Sequence, residues 1–276
     1  MGKPREKTLK IIMEAKTVLE ESSPMTLRQL FYALVSRQII DNTKGSYKAV
    51  GHALVYARQN DLISWDDIED RLRRPRHVSM WDGLVDFAET ASQAYRRNVW
   101  PTQSTYFEVW LEKDALSGIF EAILRQYGVT LNVGRGYDGW SSIYNAANRF
   151  GDGDDKAILY FGDFDPSGED MVRSLRDRLA FFGSEPEITK SALTENDIEK
   201  YNLPPDFTKE SDTRQAAFIE KFGDKAVELD ALPLTILEER IEHEIRARMN
   251  IDALEIILSK ENKERKKLKI ALKKLK

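Results

Sequence analysis

Asp163 and Asp165 stand two residues apart, just after the apolar run AILYF at 157–161. That run is short and rich in strand formers, so it reads as a buried strand of a parallel sheet. In an extended chain, residues two apart project to the same side. Both carboxylates can therefore converge where the strand ends, the edge at which open α/β sheets bind ligands. Paired carboxylates are hard oxygen ligands and suit Mg²⁺, which keeps several waters and takes phosphate as a further ligand. Pro166, Ser167 and Gly168 follow, and a helix is expected to open near Glu169. The competing reading is a solvated acidic turn, with Ser167 capping that helix.

The elements around this pair place a third carboxylate beside it. YFEVWL at 106–111 reads as a strand, and Glu112-Lys113 falls at its C-terminal end. A helix is expected over 114–127, with Leu116, Ile119, Phe120, Ile123 and Leu124 on one face and Gly128 at its end. A strand at 129–133, a glycine-rich loop at 134–139 and a helix at 140–150 lead to the strand before Asp163, and a helix to residue 182 follows it. Strands alternating with helices indicate an α/β domain with a parallel sheet. Glu112, Asp163 and Asp165 would then open onto one edge. Farther on, Ile188-Thr189 suggests a strand, and helices are expected over 193–201, capped by Thr194, and over 213–222. Residues 226–232 read as a last short strand carrying Glu228 and Asp230. Helices start at Thr235 and near Asp252, and the second ends in a Lys-rich stretch at 260–276 that suits a solvated or partner-binding helix.

The N-terminal part has a different pattern. Helical spacing covers 8–21, a second helix capped by Thr26 (TLRQLFYALVSRQ), and 47–60 after a polar loop at 42–46. A short extended piece is expected at 61–65. Three helices and a small β-element match a helix-turn-helix or winged-helix domain, although a plain helical bundle has the same pattern. Arg71, Arg73, Arg74 and Arg76, in RLRRPR, would meet phosphates beside such a domain. On the second helix Arg28 and Tyr32 are four apart and share a face, with Arg37 turned away. A guanidinium beside a phenol can hold a phosphate against the hydroxyl and favour its ionised form. The plainer reading of Tyr32 is a half-buried aromatic. Residues 77–104 read as a connector, amphipathic and helical over 80–97.

Composition sets bounds. At 276 residues the chain is long enough for two domains. The absence of cysteine excludes disulfides and thiolate metal sites and fits a reducing cytosol. His52, His77 and His243 are scattered, which argues against a histidine zinc site. The slight net negative charge of −4 argues against a chain coated in nucleic acid, so any contact with it would be local. No apolar run reaches the length of a membrane span, and the N-terminus MGKPREKTLK lacks a secretory core. A cytoplasmic protein is expected.

Together these pieces resemble a known family. A strand ending in Glu and a later strand ending in Asp-x-Asp is the pattern of the Toprim domain of topoisomerases, bacterial-type primases and some nucleases. WLEKDAL and YFGDFDPSGEDM are similar to the two Toprim motifs of the topoisomerase VI A subunit and its meiotic double-strand-break relative, the second reading Asp-x-Asp-Pro-x-Gly. LRQLFYALVSR is similar to that family's winged-helix motif, in which an Arg precedes the nucleophilic Tyr by four residues; Arg28 and Tyr32 fall on those positions. The resemblance covers 26–70 and 106–232. The chain is shorter than a typical A subunit and has no ATPase domain. The loop GRGYDGWSS matches the family's glycine-rich segment loosely, so the chain looks like a minimal stand-alone version.

The resemblance implies an α/β (α+β overall) chain: a winged-helix DNA-binding domain over 1–76, a helical connector over 77–104, a Toprim domain over 105–232 and C-terminal helices over 233–276. It implies that Tyr32, aided by Arg28, attacks a DNA phosphodiester, forms a 5′-phosphotyrosyl link and makes a double-strand break. Glu112, Asp163 and Asp165 would hold Mg²⁺ or Mn²⁺, and Lys113 would contact phosphate. Its partners would be double-stranded DNA, a second copy of the chain, because in that family the Tyr and the metal site come from different protomers of a homodimer that cuts both strands, and a separate ATPase B-type subunit where strand passage occurs. The alternatives are a Toprim metal-dependent hydrolytic nuclease and a non-catalytic DNA-binding or assembly factor.

Overall fold

YFEVWL and KAILYF, the two central strand sequences, alternate their side chains between two buried faces. The computed structural model describes residues 5–68, 78–134, 139–151, 155–205 and 214–272. It contains β1 (Tyr106–Leu111), β2 (Thr130–Val133), β3 (Lys156–Phe161) and β4 (Glu187–Ala192), paired in the order β2-β1-β3-β4 and all parallel. Phe107, Val109 and Leu111 of β1 and Leu159 and Phe161 of β3 share one apolar cluster with Phe120 and Leu124 of α5 (Ser117–Tyr127). Trp110, Ile158 and Tyr160 face the other way. They pack with Ile143 and Ala146 of α6 (Trp140–Phe150) and with Leu175 and Leu179 of α7 (Pro166–Phe181). Helices thus cover both faces, which is why the two central strands are largely apolar. Gly128 ends α5 at φ +69°, a left-handed position that favours glycine.

Glu108 breaks that apolar pattern. It is fully buried in β1 and accepts from Arg149 Nε and Nη2 (2.7 and 3.0 Å), Asn132 Nδ2 (2.6 Å), Tyr106 Oη (3.0 Å) and Trp110 Nε1 (3.2 Å). One carboxylate thereby ties α6 and β2 to the central strand.

The N-terminal helices are α1 (Glu6–Glu21), α2 (Leu27–Ser36) and α3 (Lys44–Gln59). Thr26 and Gln29 form a capping box at the start of α2. Thr43 caps α3, so this helix begins inside the stretch expected to be loop. Residues 61–65 do not form an extended piece. Ser64 and Asp67 cap a 3₁₀ turn at Trp65–Asp67, which makes a local bend cheaper than an exposed strand. Among the described residues the β-pairing here is a single bridge between Met25 and Ile68. Arg71, Arg73, Arg74 and Arg76 lie outside the described residues.

α4 (Leu84–Ala94) is shorter than the amphipathic spacing predicts. Residues 95–97 leave the helix because α11 (Ile251–Leu272) takes their polar groups. Glu261 accepts the Arg97 N–H (2.9 Å), Glu264 accepts the Tyr95 hydroxyl (2.7 Å), and Arg265 donates to the Tyr95 carbonyl (2.7 Å). The remaining helices are α8 (Glu195–Tyr201), α9 (Gln215–Phe222) and α10 (Leu234–Arg248). Residues 226–232 are not a strand either. Val227 and Phe164 exchange two backbone hydrogen bonds of 2.8 Å, and the chain then turns into a 3₁₀ segment, Leu229–Ala231. One buried cluster runs from Ile11 and Leu30 of α1 and α2, through the sheet, to Ile241 and Leu254 of α10 and α11. Among the described residues no helix is long and apolar enough to cross a membrane.

Asp197 anchors α8 on α10. It is buried and accepts from Arg240 Nη2 (2.7 Å), the Thr194 N–H (2.9 Å) and Thr194 Oγ1 (2.8 Å). Burial pushes its carboxyl up, but these donors outweigh burial and hold it below the ordinary aspartate range. A depressed carboxyl stabilises the fold above its unfolded pKa, near ~4, and that stabilisation is lost as pH falls through the folded value. Wild type is therefore expected to be more stable than Asp197→Asn at neutral pH, with the gap closing in acid. Urea midpoints across a pH series measure it.

Candidate functional site

The parallel register positions the site. β1 and β3 pair from Tyr106↔Lys156 to Leu111↔Phe161, so both strands end level. The Glu112 N–H donates to the Phe161 carbonyl at 2.9 Å and extends the ladder by one bond. Glu112 Oε2 then accepts from the Asp163 N–H (2.9 Å) and the Tyr160 hydroxyl (3.2 Å). Glu112 and Asp163 are thus brought together at one sheet edge, as the spacing predicts.

Asp165 is used differently. It is the N-cap of α7, its Oδ1 accepting from the Gly168 N–H at 2.6 Å, with Pro166 in the first turn. The helix therefore opens three residues before Glu169, and Asp165 rather than Ser167 caps it. An aspartate followed by proline fits this start because Pro lacks the N–H that would go unpaired there. A capping carboxylate still has a second oxygen with acceptor capacity.

The turn is tight around Gly168. A Cβ there would collide with the Asp163 carbonyl, which is backbone and cannot swing away. Gly168→Ala is expected to distort the Asp163–Asp165 turn and destabilise the protein by about 1–3 kcal/mol. Thermal unfolding beside the solvent-facing control Gly139→Ala, whose added Cβ meets nothing within 4 Å, checks it.

Two carboxylates that sequence reasoning left without a role complete the cluster. The segment after Val227 lies against Asp163, whose Oδ1 accepts the Leu229 N–H at 2.8 Å. That carries Glu228 and Asp230 to the end of β1. Lys113 Nζ sits among them, 2.7 Å from Asp163 Oδ2, 3.3 Å from Glu228 Oε2 and 3.8 Å from Asp230 Oδ2. The Asp230 side chain is sealed from solvent. Among the described residues neither of its oxygens accepts a hydrogen bond from another residue.

The α2 pair reaches this same cluster. Arg28 Nη2 donates to Glu228 Oε2, and Arg28 Nε lies 3.5 Å from Asp230 Oδ2. The Tyr32 hydroxyl donates to Glu228 Oε2 at 3.0 Å. Tyr32 is largely buried, whereas Arg28 is about two-fifths exposed (39%) and opens the cluster to solvent. Arg37, turned away as expected, pairs with Glu21 instead. The sequence signal for the two missed residues was available: alternate carboxylates inside the apolar stretch AVELDAL need partners.

The charge balance bears on metal binding. Burial pushes the Glu112 carboxyl above the ordinary glutamate range, and the charges of Asp163 and Asp165 push it further. Burial likewise raises Asp230, against the pull of Lys113 and Arg28. Among the described residues no three acidic or histidine side chains stand ready to hold one ion together. Lys113 places a positive charge among three carboxylates, which opposes a further cation beside Asp163. Glu112 and Asp163 are the hard oxygen donors that would hold a divalent ion once Lys113 turned away.

No family model matches this chain, and no curated protein matches it.

Proposed function

We propose that the chain is a Mg²⁺-dependent DNA-cleaving transesterase in which Tyr32 attacks a phosphodiester, becomes joined to the 5′-phosphate and releases a 3′-hydroxyl. The observation that carries this reading is the meeting of Arg28 and Tyr32 with the carboxylates of the sheet edge. Residues from a helix and a strand end, 131 positions apart between Tyr32 and Asp163, meet in one polar cluster through Glu228 and Lys113. A phenol of pKa ~10 needs activation, and covalent catalysis by Tyr conserves the bond energy for religation. Arg28 is exposed enough to take a phosphate and holds it beside the hydroxyl. Lys113 offers a second cation to the same phosphate. Glu112 and Asp163, with the second oxygen of Asp165, would hold the ion, which supplies charge stabilisation on the phosphoryl oxygens when bound.

In this reading α1 to α3 act as a winged-helix unit and the sheet as a Toprim unit. Double-stranded DNA is the substrate and a second copy of the chain cuts the second strand. An ATPase subunit would be needed only for strand passage.

Hydrolysis by water at the same carboxylates is the second reading, favoured by the burial of Tyr32 at 5% exposure. One experiment separates the two. Supercoiled DNA is incubated with the protein and Mg²⁺, stopped with detergent, and the ends are analysed. Transesterification predicts 5′ ends blocked by protein, and chelation of Mg²⁺ before the incubation prevents cleavage. Hydrolysis predicts cut DNA whose ends are free of protein.

A further inference from the structure

Beside the sheet edge, three charged residues are held by charge where hydrogen bonds would be expected. Lys113 Nζ is sealed from solvent and lies 2.7 Å from Asp163 Oδ2, 3.3 Å from Glu228 Oε2 and 3.8 Å from Asp230 Oδ2. Among the described residues none of these contacts has hydrogen-bond geometry. Arg28 Nε and both Asp230 oxygens likewise have no hydrogen-bond partner in another described residue. The geometry points to Lys113 as a resident counter-ion that keeps Mg²⁺ off Asp163 until a nucleic-acid phosphate draws it away, so that metal and phosphate bind cooperatively. The inference rests on the metal-dependent reading of this edge and not on which group attacks the phosphodiester.

The oxygens of Asp163 carry it. Oδ1 accepts the Leu229 N–H at 2.8 Å, so Oδ2 is the oxygen left for an ion shared with Glu112. Lys113 stands on that oxygen. A positive charge so close repels a divalent cation, and the two exclude each other there. A lysine fixed for structure looks different. Lys190, on β4 beside the same turn, donates to the Asp163 carbonyl (2.9 Å) and to Glu169 Oε1 (2.5 Å). A buried ammonium without hydrogen bonds is costly, so Lys113 is easily drawn off.

Lys113 also has a place to go. Its side chain is about one-fifth exposed (22%) on a flexible stem, and it shares Glu228 Oε2 with Arg28, which opens to solvent. A phosphate held by Arg28 offers the ammonium a new anion. Its departure leaves Asp163 Oδ2 to the ion, and an ion at Asp163 leaves Lys113 to the phosphate. Each ligand then strengthens the other by the same factor, as linkage requires. Without either ligand, Lys113 screens Asp163, Glu228 and Asp230 from one another.

The test titrates Mg²⁺ alone into DNA-free protein by calorimetry. Lys113→Met keeps the stem and removes the charge, and it is expected to bind Mg²⁺ about tenfold tighter or more than wild type. Lys113→Gln, which can still donate to the carboxylates, should also bind tighter, whereas Lys113→Arg keeps the charge and should bind as weakly as wild type. Thermal unfolding gives a second readout. Without metal both neutral variants should melt below wild type, and Mg²⁺ should raise their midpoints by more than it raises that of wild type. The coupling is read by fluorescence anisotropy of a short labelled duplex at fixed ionic strength: Mg²⁺ should tighten duplex binding more in wild type than in the neutral variants. Mg²⁺ binding no tighter in Lys113→Met and Lys113→Gln than in wild type overturns the proposal alone, as does an equal effect of Mg²⁺ on duplex binding in all of them. No Mg²⁺ binding in wild type or in any variant overturns the metal-dependent reading and this inference with it.

Discussion

Replacing Glu108 by alanine is expected to lower stability by about 3–5 kcal/mol, the range for breaking a buried ion pair on one side. Five donors on four residues lose their acceptor at once: two nitrogens of Arg149, and one group each of Asn132, Tyr106 and Trp110. Arg149 is about one-third exposed (37%) and can turn toward water, which places the expected cost at the lower end. Trp110 lies in the interior and cannot do so. Glu108→Gln keeps an acceptor and should cost less, about 1–3 kcal/mol. Urea unfolding, read by far-UV circular dichroism, measures both. The site hangs from β1, so the alanine variant should lose cleavage along with folding at moderate temperature, while the glutamine variant retains it.

Asp163→Asn is expected to reduce DNA cleavage by about a thousandfold with the fold intact. Asparagine keeps an oxygen that can accept the Leu229 N–H, so the turn that carries Glu228 and Asp230 stays in place. What it loses is the charge that faces Lys113 and would share the divalent cation with Glu112. Several kcal/mol of transition-state stabilisation from such an ion corresponds to about three powers of ten in rate. Calorimetric Mg²⁺ titration gives the second readout: binding heat in wild type and a weaker or absent heat in the variant. Unchanged cleavage by a folded Asp163→Asn would point to a structural role for the acidic cluster.

The sheet was legible because its signals are local. YFEVWL and AILYF are apolar, short and bounded by polar turns, and the parallel ladder then forces Glu112 and Asp163 to one edge. The helix of Arg28 and Tyr32 was equally legible from Thr26 and an apolar stripe. The misreadings share a cause: short segments whose conformation is set by distant partners. Residues 226–232 have strand composition, but one bridge to Phe164 and the pull of Asp163 on Leu229 bend them into a turn. Arg97 and Tyr95 belong to a helical pattern and are drawn out of it by Glu261 and Glu264, more than 160 residues away. The competing reading gives the cap of α7 to Ser167, whereas the structure gives it to Asp165. The pairing of Tyr32 with Glu228 spans 196 positions, and no local pattern encodes it.

The central claim, that Tyr32 is the nucleophile, is tested most directly by identifying the residue joined to DNA. The protein is incubated with DNA and Mg²⁺, the mixture is denatured, and the DNA is digested to a residual nucleotide. Peptide mass spectrometry then locates the adduct. The account predicts a single nucleotide-phosphate mass on the peptide containing Tyr32, absent from Tyr32→Phe. An adduct on another residue, or cut DNA with no adducted peptide at all, would contradict it.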